Sequence, residues 1–434
     1  MYDAWQVTFY LSNLASTSAG TINEPLDKTL SLQQALIKAQ AAAQTHLTGL
    51  FAGNVATALA DPAAREKIGN DWTLAWGPAT VVVGPSTFDW QAGTATFTAA
   101  NSAYVVRSQS QNRYVLAIAG TNPSSGFDWI VEDVSILPGV TWQSALQHWG
   151  NSGSPVVLPS PSIASVTSGT FVGVSKVLGL QDPATQATLQ SFLGSLRLDA
   201  GTTLTVTGHS LGGALSPTLA LALVDPQGPL SSLAPSQVRA YPTAGPTPGN
   251  APFADRYFEY LPASVGAKNW QTWNADLWNL YDIVPRAWGI DTLLALPGFY
   301  AASLEYGVAD LALLSAQVIA GAGVAELFAL AAGAPARLNT TQVPGNFVAS
   351  LWPVDCFAYQ YQPPGSPTVE YLTKPQAKAR GIPDSELQSI TLNQQIGYQH
   401  IQTYLQYILP DWVAPQLVAM PTPAQVVRRL AAPV

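Results

Sequence analysis

Leu32, Leu36, Ala39, Ala43, Leu47 and Leu50 recur at helical spacing, so residues 31–51 predict an amphipathic helix. Ser31 followed by Gln34 makes a capping box at its start, in which each side chain satisfies a free backbone donor of the first turn. The pattern then changes. ATVVVG near Val82, SAYVVRS and RYVLAIAG read as strands, and residues 109–112 separate the last two at hairpin distance. YVLAIAG is almost continuously apolar, as in a strand buried on both faces. Residues 204–207 predict a further short strand and residues 211–224 a helix, which Pro217, lying past its first turn, should kink or weaken. SQVRAYPTAGPTPGN reads as a strand and a glycine-rich turn, and WNADLWNLYDIVP ends another strand or loop near Asp282. Strands alternating with helices predict an α/β domain with a mostly parallel sheet. Pro and Gly clusters at 150–162 and 362–367 mark long loops, and the chain carries no internal repeat and no charge run.

With 434 residues, 47% of them hydrophobic, the chain can bury a sizeable core, and we expect a single domain over 1–434 that opens with a helical segment at 20–70. Charged residues are only 10%, against about 25% in a typical soluble domain. The polar surface is therefore mostly Ser, Thr, Gln and Asn, and it resists sticking to apolar interfaces less well. A net charge of −8 leaves too few cations to neutralise many phosphates, which argues against nucleic acid as a partner. Cys356 is the one cysteine, so no intrachain disulfide forms. The first 20 residues lack the basic n-region and long apolar core of a signal peptide. The longest apolar stretch, 311–325, is 15 residues, contains Gln317 and lies between Asp310 and Glu326. A span needs about 20, so we expect a buried or interfacial helix and no transmembrane anchor.

The candidate chemistry centres on LTVTGHSLGGAL. A nucleophile on a sharp strand-to-helix turn adopts a strained backbone, and neighbouring side chains would clash, so Gly-x-Ser-x-Gly places Ser210 as that nucleophile. With Gly at about 7%, and Ser similar, chance supplies roughly 0.15 such patterns in this length; the position between a strand and a helix is what singles it out. The N–H of Leu211, at the start of the helix, suits an oxyanion. A serine hydroxyl needs a base. The histidines are His46, His148, His209 and His400, and in the order Ser, acid, His of α/β-hydrolases only His400 qualifies. His209 adjoins Ser210, with its ring expected to point away from the hydroxyl. For the acid that orients the base, Asp282 in NLYDIVPRAW is the first candidate, because Pro285 stiffens its loop and Ile283 and Val284 bury it. Asp276, Asp291 and Asp355 are rivals. Gly120 and Thr121 follow the buried strand YVLAIAG and offer a second oxyanion donor. No Cys-x-x-Cys, His-Glu-x-x-His or phosphate loop occurs, and no dense Asp/Asn loop points to calcium, so no cofactor or metal is expected. Trp270, Trp273, Trp278 and Trp288 are read as core or pocket wall before a binding platform.

Together these segments resemble the class 3 lipases, the fungal-lipase-like branch of the α/β-hydrolases, in the form of a bacterial-type member with a long insertion before the histidine. AGTNPSSGFDWIVEDVS is similar to the family's Gly-Thr turn and the acids after it, here Gly120, Thr121, Asp128 and Asp133 with Trp129; VTGHSLGGAL, YPTAGPTPGN and DIVP follow in the family's order, and His400 comes late, with Tyr398 and Tyr404 nearby. The resemblance covers roughly residues 80 to 290 and the segment around His400. It implies an α/β-hydrolase fold, a triad of Ser210, Asp282 and His400, and an oxyanion hole from Thr121 and Leu211. It also implies a lid at 124–137 carrying Phe127, Trp129, Ile130 and Val134, which would turn an apolar face to lipid. The implied activity is carboxylic ester hydrolysis, foremost of triacylglycerol at a lipid–water interface, with phospholipase A1 or aryl-ester hydrolysis as variants. A non-catalytic lipid-binding protein on the same fold is the contrasting reading. The location stays open: the resemblance and the low charge favour secretion, while the first 20 residues, without a signal-peptide pattern, fit a cytoplasmic protein or another export route. The chain departs from the pattern at Ala119, where a basic residue is common, at Ala244 in place of Phe, and in lacking an Arg after the proline. It also has no clear His-x-Gly-Phe and sets Asp282 and His400 118 positions apart. Much of that length is apolar, and residues 289–345 are expected to form a helical cap, with plain packing bulk as the alternative.

Overall fold

The computed structural model describes residues 1–120, 139–150, 160–268, 270–279, 282–286, 335–336, 356–361, 368–389, 396–409 and 411. The first element is a helix the apolar pattern does not single out. Asp3 caps α1, Ala4–Ala15, by accepting from Trp5 and Gln6, and Gln6 returns a bond to the Asp3 N–H. Strand β1, Thr21–Pro25, precedes α2, Leu32–Ala60, which opens on the expected Ser31–Gln34 box and runs nine residues beyond the expected end. Helix α3, Pro62–Ile68, follows after Asp61, whose side chain caps it. The 20–70 segment is thus a strand and two helices. Strands β2, Trp72–Asp89, and β3, Thr94–Ser108, make a long antiparallel hairpin, and β3 turns through 109–112 into β4, Arg113–Ile118, with Ser108 opposite Arg113 as the spacing predicts.

Beside the main sheet lie the short strand β5, Val140–Thr141, helix α4, Trp142–Trp149, the short strand β6, Ser165–Val166, and helices α5, Ser168–Gly179, and α6, Leu189–Ser195. The elements around the Gly-x-Ser-x-Gly turn follow, with β7, Thr203–His209, α7, Leu211–Ala222, β8, Val238–Thr243, and α8, Ala251–Tyr260. Helix α7 continues through Pro217. Strands β4, β7 and β8 are parallel, in the order β4-β7-β8, while β1, β2 and β3 join antiparallel on the β4 side. This is an α/β-hydrolase architecture, a central sheet flanked by helices, with its parallel part at the site.

Period-two alternation explains how both faces are covered. In β4, Leu116 and Ile118 point to a core shared with Trp142, Val174, Leu215 and Phe253, whereas Val115 and Ala117, with Ala119 just beyond the strand, point to a core with Phe9, Leu14, Phe51 and Tyr404. Helix α1 therefore packs on the same face as the segment after His400, and Gln6 donates to the carbonyl of Ile408 at 2.8 Å. The exposed edge of β2 is occupied by side chains: Gln44 bonds Val82 N and Thr80 O, and Gln40 donates to Val82 O. Among the described residues no helix is long and apolar enough to cross a membrane. The expected lid at 124–137 lies outside the described residues, as do 311–325 and, apart from Pro335–Ala336, the cap at 289–345. Pro335–Ala336 pairs with Gly249–Asn250.

Candidate active site

Ser210 sits between β7 and α7 with φ 60° and ψ −130°, left-handed backbone that a side-chain-bearing residue occupies only under constraint. The constraint is close packing. A Cβ on Gly208 would run into the backbone of Gly212, and one on Gly212 into the carbonyl of Ile118. On the other side, a Cβ on Gly120 would lie 2.7 Å from the His209 carbonyl and 2.9 Å from Ser210 Cβ. The end of β4 therefore passes directly against the serine, and Thr121, the next residue, lies outside the described residues. The Ser210 N–H donates to the Thr243 carbonyl at 3.0 Å, which ties the elbow to the end of β8. Leu211 opens α7, so its N–H has no partner within the helix.

Asp282 and His400 meet across 118 positions of chain: the His400 Nδ1–H donates to Asp282 Oδ2 at 2.8 Å and lies 3.0 Å from Oδ1. The Asp282 side chain is fully buried, and Ile283, Val284 and Pro285 beside it are buried, as expected. Two further donors satisfy the carboxylate, the Tyr404 hydroxyl at 2.9 Å and the Val284 N–H at 3.0 Å. Tyr404 in turn accepts the Asn279 N–H at 2.6 Å. Burial, and then the neighbouring Asp282 charge, push the Tyr404 hydroxyl well above its ordinary range, so it remains a donor. Of the rival acids, Asp276 is buried nearby in sequence, and Asp291 and Asp355 lie outside the described residues.

His400 is carried on a single π-helical stretch, Tyr398–Gln402, which passes into the α-helix Thr403–Ile408. Such bulges recur at functional sites because the widened turn re-aims side chains. Two consecutive carbonyls of the π turn accept side-chain donors: Asn279 Nδ2 reaches that of Gln399 at 3.0 Å, and His209 Nε2 reaches that of His400 at 2.8 Å. The structure thus brings His400 to the residue adjoining Ser210. The Ser210 Oγ is buried and makes no hydrogen bond to a described residue, so the serine–imidazole bond is not formed.

The His209 ring points away from the serine hydroxyl into the protein. Its Nδ1 lies 3.0 Å from Thr243 Oγ1, and donation from Nε2 to a carbonyl makes Nδ1 the acceptor. Burial first, then the proximity of His400, lowers its pKa well below 6.5, so the ring is neutral. Trp270 and Trp273 are buried in the core beneath β8, and Trp278 lies under the Arg286 guanidinium at 5.6 Å, while Trp288 lies outside the described residues. Phe127, Trp129, Ile130 and Val134, expected to belong to a lid, also lie outside the described residues. Among the described residues no cluster of His, Cys, Asp or Glu could hold a metal ion.

The partners that sequence reasoning misses are Asn279, Gln399 and the hydroxyl of Tyr404. A weak signal is present, since Tyr404 lies four residues after His400 and a helix would put both on one face.

The family model for lipase (class 3) matches residues 163–291, which include the elbow and Asp282. Comparison with curated proteins gives no match. Among solved structures, M37 lipase is similar at 21% identity and TM-score 0.56, covering 94% of this chain and 93% of its own, a likeness that shows the fold. A lipase from Rhizopus microsporus var. chinensis is 20% identical at TM-score 0.33, covering 56% of this chain and 69% of its own. Rhizomucor miehei triacylglyceride lipase is 19% identical at TM-score 0.33, covering 62% of this chain and 77% of its own.

Proposed function

We propose that the chain is a serine ester hydrolase of the class 3 lipase type, whose family model matches residues 163–291, and that it cleaves acylglycerol esters with Ser210 as nucleophile, His400 as base and Asp282 as the acid that orients the base. The observation that carries the proposal is the buried Asp282–His400 pair held beside the elbow. A carboxylate on Nδ1 leaves Nε2 free of the proton and ready to accept the one on Ser210.

Substrate binding closes the gap between Nε2 and Oγ to hydrogen-bond reach, a tightening that free enzymes commonly leave to the complex. Ser210 Oγ then forms a bond to the acyl carbon as its proton passes to His400. The carbonyl π electrons move to oxygen, where the Leu211 N–H and Thr121 receive the negative charge. His400 returns the proton to the leaving alcohol as the C–O bond breaks, and water repeats the sequence to release the fatty acid. Asp282 stabilises the transient imidazolium without taking its proton. The apolar residues of 124–137 act as a lid that turns to lipid when the site opens.

Ser210→Ala is expected to abolish p-nitrophenyl ester hydrolysis with an unchanged circular dichroism spectrum; retained turnover refutes the assignment. Activity on long-chain triacylglycerol is expected to rise once the substrate forms an emulsion. Equal rates on emulsions and on monomeric short esters refute the acylglycerol assignment and leave a plain esterase.

A further inference from the structure

His209 is a buried titratable group that the proposed chemistry does not use, yet it lies between the elbow and the segment bearing the base. Its ring centroid is 4.8 Å from that of His400, at 41° between planes, and 5.2 Å from that of Tyr404, which meets it edge-on at 82°. Phe9 of α1 meets it edge-on at 6.4 Å from the far side. The ring is thus walled in by aromatic groups, and its two nitrogens are the polar points at which it is held. Nδ1 faces the Thr243 hydroxyl, and Nε2 faces the main-chain oxygen of His400. Thr243 also receives the N–H of Ser210 on its carbonyl. One residue at the end of β8 therefore anchors the nucleophile through its main chain and His209 through its side chain.

We propose that His209 is a positioning residue: its Nε2–H, aimed by Thr243, holds the carbonyl of His400 and so sets the distance between His400 and the serine beside it. The inference rests on the reading of Ser210 and His400 as nucleophile and base. The chemistry suits a histidine. The donor has to be neutral, because a cation 4.8 Å away would oppose the imidazolium formed on His400. It has to be rigid and flat to fill the slot between Phe9, His400 and Tyr404. It also has to reach from the elbow to the π turn, and the last residue of β7 does so, its two nitrogens meeting Thr243 and the His400 carbonyl. The π turn complements this, because its widened geometry presents the His400 carbonyl to a side-chain donor.

The test uses the full chain and two readouts, the second-order rate at which a fluorophosphonate labels Ser210, and kcat and KM on p-nitrophenyl butyrate. Asn and Gln at position 209 both carry an amide donor, but only Gln extends as far as an imidazole Nε2. Positioning predicts that His209→Phe and His209→Asn label about ten- to a hundredfold more slowly than wild type, the scale of a misplacement of about 1 Å. KM should be unchanged and His209→Gln should recover most of the rate. A role confined to folding predicts equal rates for the Gln and Asn variants per folded molecule, and that equality overturns the inference. If His209→Phe does not fold, the Gln and Asn pair decides alone. Failure of the wild-type protein to label at Ser210 would instead sink the hydrolase assignment, so the two failures are distinguishable.

Discussion

Tyr404→Phe removes one oxygen and little else. The ring is buried in the core beside Phe9 and Ile408, so Phe preserves the packing, while the hydroxyl is the shared partner of two groups. Asp282 loses one of its three donors, a bond to a charged acceptor worth about 1.5–3 kcal/mol, and the buried Asn279 N–H loses an acceptor, a further cost of about 1 kcal/mol. The folded state is therefore expected to lose about 2.5–4 kcal/mol. Urea unfolding followed by tryptophan fluorescence reads this as a lower midpoint with an unchanged slope. Asp282 keeps His400 and Val284, so the base stays paired but less firmly oriented, and we expect kcat to fall about tenfold, equivalent to about 1.4 kcal/mol, with KM unchanged. A Phe variant within about 0.5 kcal/mol of wild type and with wild-type kcat would show that the hydroxyl supports neither the carboxylate nor the Asn279 turn, and would refute the reasoning.

Gly120→Ala places a methyl group 2.7 Å from the His209 carbonyl and 2.9 Å from Ser210 Cβ, where backbone must move. It should cost about 1–3 kcal/mol by overpacking and depress kcat strongly; wild-type activity in a folded variant counts against the placement of β4 at the elbow. Asp225, fully buried, accepts from Arg256 at 2.7 Å and 2.5 Å and from Trp142 at 2.7 Å. Burial works to raise its pKa, but these bonds outweigh it and leave the carboxyl below its ordinary value. Its contribution is therefore present above the unfolded carboxyl value of about 3.9 and lost as pH falls through the lower folded value. Asp225→Asn should cost about 3 kcal/mol at neutral pH, because it leaves Arg256 without its anion, and should flatten the stability profile below about pH 4. An unchanged profile there would show that another carboxyl sets the acid limit.

Several parts of this protein are legible from local pattern alone. The Ser31–Gln34 box, the β3–β4 hairpin, the doubly buried β4 and the strand–serine–helix elbow are all written in short stretches, because capping, turn geometry and period-two burial depend on near neighbours. Helix α1 escapes such a reading for a related reason. Most of its residues from Val7 onward are buried, so it presents no clean polar face for a periodic pattern to reveal. Pro217 predicts a weakened helix, yet α7 runs on, because the helix is buried along nearly its whole length and tertiary packing overrides propensity.

The sequence by itself singled out the candidate nucleophile and the order of the candidates. One Gly-x-Ser-x-Gly lies at a strand end, one histidine follows it, and one Asp-x-Val-Pro lies between. Only the tertiary structure decided which carboxylate the histidine meets, that Tyr404 and Val284 complete that carboxylate, and that the His209 ring turns to the carbonyl of His400. The physical reason is separation along the chain. Asp282 and His400 are 118 positions apart, and His209 and His400 are 191 apart. Contacts at such distances leave no periodicity in the residues between them, and they arise from how β7, β8 and the π turn pack together.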